Sequence, residues 1–240
     1  MMDGKYVFDS FLQFPNIIHG ISSKKDGSMK REDDKQIDRE ALSKFAKSVG
    51  ITTDIVCMKQ IHGGTVSLVE NTQKLVIPET DSLITDKKNI PLAVLTADCL
   101  PIMFYDPTRE AIGLAHAGYQ GLLNHVIENT IHSLAANFKS RPHDIIVGIG
   151  PCIERNCYEV GEELIETFQK TFPSFENIFV EKKGKYYLDL RTIAEQALRK
   201  EDILKKHIEV MDICTKCDPN FYSYRGGDGD KRFVSLISLI

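Results

Sequence analysis

Cys99 and His116, a thiol and an imidazole, lie at the open end of a predicted hairpin. Residues 101–105 and 111–115 each have the apolar composition of a strand. Between them, residues 106–110 (Asp-Pro-Thr-Arg-Glu) have the turn chemistry and the length of a hairpin connection. The hairpin should therefore bring His116 close enough to Cys99 for both to bind one metal ion.

The register of this hairpin decides whether the two side chains meet. If Tyr105 pairs with Ala111, Cys99 and His116 lie at neighbouring levels but point to opposite faces of the sheet. They converge if the register shifts by one residue, or if the regular strand ends near Pro101.

A thiol beside an imidazole is typical of two kinds of site, half of a metal site or a Cys–His nucleophile pair. The alternative is a buried structural cysteine beside an unrelated histidine. Gly118 and Gly121 follow His116 and precede a helical pattern, so the backbone there is open to an approaching ligand. The glycines therefore favour a functional site.

Composition restricts the class of protein. The chain has 240 residues, 42% of them hydrophobic, enough for one large domain. The net charge of -4 and the lack of a long basic run argue against nucleic acid and membranes as partners. The first residues, Met-Met-Asp-Gly, do not resemble a signal peptide, and we expect a cytoplasmic protein. Its six cysteines are then expected as thiols or metal ligands.

Hydrophobic periodicity predicts the elements that position these residues. Asp38 should cap a helix that ends at Val49, and a second helix, 122–138, should bury Leu123, Ile127, Ile131 and Leu134. His62, Gly63 and Gly64 follow a predicted strand and predict a hairpin turn. The polar stretch 22–36 is expected to be a surface loop that could cover a substrate. Further strands are predicted at 81–85, 144–149, 186–190, 208–213 and 233–240. A third helix is predicted at 190–204.

Two more groups of residues have chemical potential. Cys214 and Cys217 form a C-x-x-C motif that could join Cys152 and Cys157 in a four-thiolate site. The spacing between Cys152 and Cys157 is at the wide end of the usual range, and no zinc-ribbon pattern surrounds this pair. The loop 221–229 combines aromatic residues, one arginine and three glycines, a composition that can hold an anion or stack a ring.

Taken together and in order, several short motifs resemble the YfiH family. They are Gln60-Ile61-His62-Gly63, Thr96-Ala97-Asp98-Cys99, Ala115-His116-Ala117-Gly118, Gly150-Pro151, Tyr158-Glu159-Val160 and Ser223-Tyr224-Arg225. Members of this family are variously described as purine nucleoside phosphorylases with adenosine deaminase side activity, as laccase-domain polyphenol oxidases and as peptidoglycan editing factors. The match runs from about Phe8 to Ile240, so the resemblance implies a single YfiH-like domain over residues 1–240.

The resemblance implies a fold and a metal site. The fold is α+β, with mixed sheets packed between helices in two subdomains. The metal is zinc, held by His62, Cys99 and His116. The hairpin argument places Cys99 near His116 without the family, whereas His62 as a ligand comes from the family alone.

The sequence departs from the family pattern at two positions. Tyr119-Gln120 replaces the usual Trp-Arg after His-Ala-Gly, and Gly226 replaces a second arginine after Ser-Tyr-Arg. Two cations that could meet a phosphate are therefore missing, which weakens the expectation of phosphorolysis more than that of metal binding.

The resulting functional hypothesis is a zinc-dependent enzyme of purine nucleosides, which cleaves them and methylthioadenosine by phosphorolysis and deaminates adenosine. It would act on a small molecule as a monomer or small homo-oligomer. Asp98 and Arg225 are the catalytic candidates, and the substrate-binding candidates are Gln60, Gly118, Tyr119 and Tyr224. The alternatives are an amidohydrolase of cell-wall precursors, a copper (Cu²⁺) polyphenol oxidase, a metal-free Cys–His hydrolase with Cys99 as nucleophile, and a non-catalytic metabolite-binding protein.

Overall fold

The computed structural model describes residues 5–31, 33–34 and 36–240. Six helices occupy α1 (Asp9–Leu12), α2 (Arg39–Ser48), α3 (Tyr119–Leu123), α4 (Val126–Phe138), α5 (Glu162–Thr171) and α6 (Leu190–Lys200) in this part of the chain. The strands are β1 (Ile17–Ile21), β2 (Val56–Met58), β3 (Val66–Leu68), β4 (Val76–Ile77), β5 (Ser82–Thr85), β6 (Leu92–Thr96), β7 (Leu100–Asp106), β8 (Ala111–Ala117), β9 (Ile146–Ile149), β10 (Glu159–Val160), β11 (Phe179–Lys182), β12 (Lys185–Leu188), β13 (Ile208–Val210) and β14 (Phe233–Leu239).

Two large mixed sheets form the centre of the molecule. One has the strand order β1-β14-β6-β2-β4, the other β13-β9-β7-β8-β5-β3. In the first sheet β6 is parallel to β2 and antiparallel to β14. In the second, the β7–β8 hairpin is flanked by β9 and β5, both antiparallel to it. A small third sheet, β10-β12-β11, lies beside α5. The predicted α+β class with mixed sheets and helices is confirmed.

The alternation of side chains along each strand explains how these sheets pack. In β6, Leu92 and Val94 enter the same buried cluster as Met103 and Tyr105 of β7, so this cluster fills the space between the two sheets. The intervening residue Ala93 joins the cluster that α2 covers. The other face of β7 packs against α4, α5 and α6. Since both faces of each large sheet are covered, their central strands are buried throughout and mostly apolar.

The predicted helix 122–138 is in fact two helices, α3 and α4. The break falls at Asn124 and His125, because His125 adopts a left-handed backbone conformation with φ of 57°. Ile127, Ile131 and Leu134 are buried as expected, whereas Leu123 is only partly buried. Five residues of the helix pair that lie outside the predicted stripe are buried too: Gly121, Leu122, Val126, Glu128 and Thr130.

The hairpin predicted at Gly63 and Gly64 does not form. The strand before the glycines, β2, pairs with β6 and β4 in the five-stranded sheet, while the strand after them, β3, pairs with β5 in the six-stranded sheet. The glycine turn therefore carries the chain from one sheet to the other. A Cβ on Gly64 would lie 2.0 Å from the backbone oxygen of Asn124, so this crossing needs glycine.

Other predictions were close. Asp38 caps α2 by accepting hydrogen bonds from the N–H groups of Glu40 and Ala41, and the strands at 81–85, 144–149, 186–190, 208–213 and 233–240 are present with shorter bounds. The helix predicted to run from 190 to 204 ends at Lys200. The expected loop 22–36 lies partly outside the described residues, at 32 and 35. Within the described ranges, no helix has both the length and the apolar character that crossing a membrane requires.

Candidate metal centre

The β7–β8 hairpin places Cys99 and His116 on the same side of the sheet. Pro101 pairs with His116 and Asp106 pairs with Ala111, so the register differs by one residue from the one predicted. The Oδ1 atom of Asp106 accepts hydrogen bonds from the N–H groups of Thr108 and Arg109, at 2.8 and 3.1 Å, and this keeps Asp106 inside the strand as the last residue before the turn. Cys99 lies two residues before Pro101 and therefore points to the His116 face.

His62 reaches the same place from the crossing between the two sheets. It follows β2 with a left-handed φ of 61° and lies next to the glycine turn. Its imidazole ring meets that of His116 edge to face, with ring centroids 4.8 Å apart. The ligand atoms of His62, Cys99 and His116 all lie within 4.8 Å of one another. The three predicted metal ligands thus converge on one point.

Asp81, at the start of β5, holds this arrangement together. Its fully buried carboxylate contacts Nδ1 of His116 at 2.8 Å and accepts backbone hydrogen bonds from Ile61, His62 and Gly63 at 3.1, 3.0 and 2.7 Å. With Nδ1 facing the carboxylate, Nε2 of His116 is the atom available to a cation. This carboxylate–histidine contact is typical of metal sites, where it fixes the tautomer and orientation of the ligand.

At neutral pH and without a cation, the electrostatics of the pair favour a thiolate at Cys99 beside a protonated His116, and a bound cation would displace the proton of His116. Burial alone would raise the pKa of Cys99, but the neighbouring His116 and His62 outweigh it and lower that pKa to about 6. Burial alone would lower the pKa of His116, but Cys99 and Asp81 outweigh it and raise that pKa to about 9. The site therefore stabilises a thiolate at neutral pH. Two imidazoles and one thiolate are a donor set for zinc or copper, and such sets with three protein ligands leave one position open.

Gly118 makes room beside the sulfur. A Cβ at this position would lie 2.8 Å from the Sγ of Cys99 and 3.3 Å from Cδ2 of His62. Any larger residue would press on two of the three candidate ligands. The space that glycine leaves at this point is consistent with a bound group there.

Asp98 and Arg225 lie directly behind Cys99 and contact each other. The Oδ2 atom of Asp98 accepts a hydrogen bond from the backbone N–H of Arg225 at 2.7 Å, and its Oδ1 atom accepts one from the Thr215 hydroxyl at 2.7 Å. Asp98 itself has a left-handed φ of 86°. The Arg225 guanidinium donates to the carbonyl oxygen of Glu159 at 2.9 Å and lies over the ring of Tyr158, 4.9 Å from its centroid.

A cavity of about 670 Å³ opens beside the three ligand residues, which line part of its wall. Gln60 also lines it, but its side-chain amide is paired with the backbone of Leu95, donating at 2.9 Å and accepting at 3.3 Å. Four cationic side chains contribute to the wall: Lys30, Arg39, Lys59 and Arg232.

The other substrate-binding candidates, Gly118, Tyr119 and Tyr224, are not among the residues that line this cavity. Tyr119 is half-buried at the start of α3, and the Tyr224 side chain is 61% exposed on the C-terminal loop.

Sequence reasoning misses three residues of the site. It treats Asp81 only as the first residue of a strand, although a carboxylate before the wholly buried strand β5 must find a partner inside the protein. Thr215 lies inside the C-x-x-C motif and contacts Asp98 only through the fold. Tyr158 lies beside Cys99 and Arg225, where burial and the thiol raise the pKa of its phenol.

Comparison with known proteins places the chain in a family. Residues 17–240 match the family described as multi-copper polyphenol oxidoreductase laccase, and the chain belongs to this family. Among solved structures, the hypothetical protein YfiH of Bacillus licheniformis superimposes with a TM-score of 0.87 at 26% identity, covering 100% of this chain and 98% of that one. YlmD from Geobacillus stearothermophilus gives 0.86 at 26% identity, with 94% and 93% covered. The resemblance to YfiH proteins is confirmed.

Curated relatives carry the name purine nucleoside phosphorylase. One from Clostridium acetobutylicum is 32% identical over 187 residues, which cover 77% of this chain and 76% of that protein. Purine nucleoside phosphorylase LACC1 of Mus musculus is 28% identical over 93% of this chain, but the match covers only 56% of the mouse protein. This chain thus spans little more than half the length of that relative.

Proposed function

We propose that this protein is a zinc-dependent enzyme acting on purine nucleosides. The observation that carries the proposal is the convergence of His62, Cys99 and His116 in the wall of a cavity, with His116 held by a buried carboxylate. The names of the relatives supply the substrate class. A zinc ion held by the three side chains would supply Lewis acidity at an open fourth position.

The chain's own residues prepare the site for this cation. Cys99 presents a thiolate, because the imidazoles beside it lower its pKa. Asp81 orients His116 through Nδ1 and, by binding the backbone of residues 61–63, also sets the position of His62. One buried carboxylate thus positions two of the three ligands. The donor set is arranged before any cation binds, so little ordering cost is left for the binding step.

Substrate is proposed to enter the cavity beside the ligands. Its volume of about 670 Å³ lies within the range of small-molecule sites, roughly 300 to 1,000 Å³, and suits a nucleoside. Gln60 shapes the wall through its paired amide, and Gly118, outside the wall, leaves Cys99 and His62 free of a side-chain contact from behind. The exposed ring of Tyr224 and the half-buried ring of Tyr119 are proposed to contact the parts of the substrate that extend beyond the cavity.

We assign Asp98 a positioning role rather than proton transfer. Both of its carboxylate oxygens already accept short hydrogen bonds, from Thr215 and from the backbone of Arg225. Asp98 thereby holds Arg225 close to Cys99, which follows Asp98 in the chain. The Arg225 guanidinium lines a second cavity, beside Cys157, and its proposed role is to hold the ring of Tyr158 in place.

Phosphorolysis is proposed to be the weaker activity. Gln120 is exposed on α3, and Gly226 is exposed next to Arg225, at the two positions where the resemblance expects arginines. Without these cations a phosphate nucleophile forgoes two charge-assisted hydrogen bonds, each worth roughly 1.5 to 3 kcal/mol when formed. Deamination and hydrolysis need no phosphate and should be easier to detect.

Copper-dependent oxidation is the second candidate. Two histidines and one cysteine are the ligand set of blue-copper sites, and the family description names copper. A multi-copper centre needs many more imidazoles than the two here. The chain has seven histidines in all, and of the other five, His125, His132 and His143 are solvent-exposed.

The test combines metal analysis with product analysis. Protein purified without added metal would be measured by mass spectrometry, and then incubated with adenosine and with inosine, each with and without phosphate. Inosine formed from adenosine without phosphate supports the proposal. His132→Ala, at an exposed histidine far from the cavity, is the matched control for His62→Ala. Two results together would contradict the proposed zinc-dependent function: oxidation of a phenol by the copper-loaded protein, and no turnover of either nucleoside by the zinc-loaded protein.

A further inference from the structure

A second group of metal-binding side chains lies outside the site described above. The Sγ atoms of Cys157, Cys214 and Cys217 all lie within 4.8 Å of one another, and those of Cys157 and Cys217 are 3.2 Å apart. Cys214 is buried, Cys157 half-buried and Cys217 exposed, so this three-thiol cluster opens to solvent on one side. No disulfide joins any of these three residues in the structure.

Backbone hydrogen bonds build the cluster without help from a ligand. The N–H groups of Cys217 and Asp218 both donate to the carbonyl oxygen of Cys214, at 3.1 and 2.9 Å, which closes the C-x-x-C turn. The N–H of Cys157 donates to the carbonyl of Glu154 at 2.8 Å. The two segments are joined where the N–H of Thr215 donates to the carbonyl of Cys152 at 2.9 Å. These bonds hold the two backbone segments that carry the three cysteines next to each other.

The fourth cysteine of this region, Cys152, does not belong to the cluster. It is fully buried, and its thiol donates to the carbonyl oxygen of Ile153 at 3.4 Å. The four-thiolate site considered from the sequence is therefore reduced to three sulfurs.

We propose that the three-thiol cluster is a second metal site, which binds a thiophilic divalent cation of the zinc class through Cys157, Cys214 and Cys217. The fourth position faces solvent. Zinc–sulfur bonds of about 2.3 Å place tetrahedral sulfurs roughly 3.8 Å apart. The Sγ atoms of Cys157 and Cys217 are 3.2 Å apart and all three Sγ atoms lie within 4.8 Å of one another, so only small side-chain movements are needed.

Three sulfurs favour a metal over a disulfide. A disulfide between two of them would leave the third thiol beside it, poised for exchange, whereas a cation uses all three. Three thiolates and one divalent cation carry a net charge of about -1. Lys216 and Arg225 line a cavity of about 390 Å³ with Cys157 and can offset this charge, while the carboxylate of Glu159 in the same wall is paired with Lys185. The C-x-x-C spacing of Cys214 and Cys217 is itself common in zinc sites.

The cluster is connected to the first site through Thr215. This residue lies between the two cysteines of the C-x-x-C turn and donates its hydroxyl to Asp98, the residue before Cys99. A cation at the cluster would tie the segment ending at Tyr158 to this turn. We therefore assign the second cation a structural role, holding in place the loops that carry Tyr158 and Arg225.

The experiment counts cations and thiolates separately at the two sites. Full-length protein would be loaded with cobalt(II), whose sulfur charge-transfer absorption reports each thiolate ligand. Wild type should bind two ions per chain. The His62→Ala/Cys99→Ala variant should keep one ion, with about three times the charge-transfer intensity of the ion left in the Cys157→Ser/Cys217→Ser variant. Equal cobalt content in wild type and Cys157→Ser/Cys217→Ser protein would overturn the proposal.

A second measurement needs no variant. Wild-type protein, with and without zinc, would be treated with an alkylating agent and its modified cysteines mapped by mass spectrometry. Zinc should protect Cys217 and Cys157 from alkylation at least tenfold, while exposed Cys217 reacts fast in the metal-free protein. Unchanged alkylation of Cys217 with zinc present would overturn the proposal. So would a count of four free thiols instead of six in denatured, unreduced protein, because that shows a disulfide.

Discussion

Asp81→Asn is the most informative single substitution, because one buried carboxylate positions two candidate metal ligands. Asparagine keeps the size of the side chain and one oxygen, but replaces the other oxygen by an NH₂ group. Each Asp81 oxygen accepts two hydrogen bonds: Oδ1 from His116 and the N–H of His62, and Oδ2 from the N–H groups of Ile61 and Gly63. The amide must therefore give up the two bonds at the oxygen that becomes NH₂, and it places a donor against two donors.

The expected magnitude follows from the hydrogen bonds that each substitution removes. Removing the carboxylate that orients a metal-bound histidine costs about 10 to 100-fold in metal affinity, which is roughly 1.4 to 2.8 kcal/mol. Asp81→Ala should be worse for folding, since three backbone donors then lack their acceptor. Residues 61–63, which carry these donors, are exposed or half-buried, so water can replace part of the loss. At roughly 1 kcal/mol for each donor, the substitution should cost about 3 kcal/mol of unfolding free energy.

Competition with a chromophoric chelator measures the affinity, and urea unfolding of the metal-free protein measures the stability. Asp54→Asn, at an exposed carboxylate, is the matched control and should change neither. Zinc affinity of Asp81→Asn within twofold of wild type would refute the reasoning that Asp81 orients His116. A stability loss under about 0.5 kcal/mol for Asp81→Ala would show that its hydrogen bonds are replaced by water.

Three further predictions test the core, the pH response and the phosphate site. Changing Ile131, which is fully buried in α4, to Ala should lower the free energy of unfolding in denaturant melts by roughly 2 to 5 kcal/mol. A loss below about 0.5 kcal/mol would contradict its place in the core. Burial lowers the pKa of His19 from 6.5 to about 4, and its Nε2 accepts from the N–H of Phe8 only while the ring is neutral. The unfolded chain therefore binds this proton first, so about 3 kcal/mol of stability should be lost as pH falls from 6.5 towards 4, and His19→Gln should remove that slope. Gln120→Arg should raise the dependence of base release on phosphate several-fold, and no change in a phosphate titration would count against a phosphate site at this position.

The sequence predicts the elements best where periodicity and capping agree. α2 has an Asp38 cap and an apolar stripe, and both are observed. The α3–α4 break escapes prediction because the apolar pattern continues across it, while the left-handed turn at His125 carries no glycine. The Gly63–Gly64 turn resembles a hairpin turn because local glycines do not reveal which strands pair. In the folded protein Asp81 binds the turn through the N–H of Gly63, while β2 pairs with β6 and β3 pairs with β5.

The site is predictable only in part, for a related reason. Cys99 and His116 lie on one hairpin, so local geometry brings them together, and the one-residue error came from the buried turn residue Asp106. His62 and Asp81 come from other strands, and no local rule predicts their meeting. Short-range signals therefore predict contacts within one supersecondary unit, whereas contacts between units need the whole fold.

The central claim is that a metal held by His62, Cys99 and His116 is required for turnover. Its most direct test is the metal stoichiometry and the activity of the Cys99→Ala variant. The variant should lose one metal ion per chain relative to wild type and all adenosine turnover, with an unchanged circular dichroism spectrum. The fold should survive because the large buried clusters, and not this site, supply most of its stability. A wild-type preparation that is fully active and insensitive to chelators, with a metal content that Cys99→Ala does not change, would contradict the claim and favour Cys99 as a metal-free nucleophile.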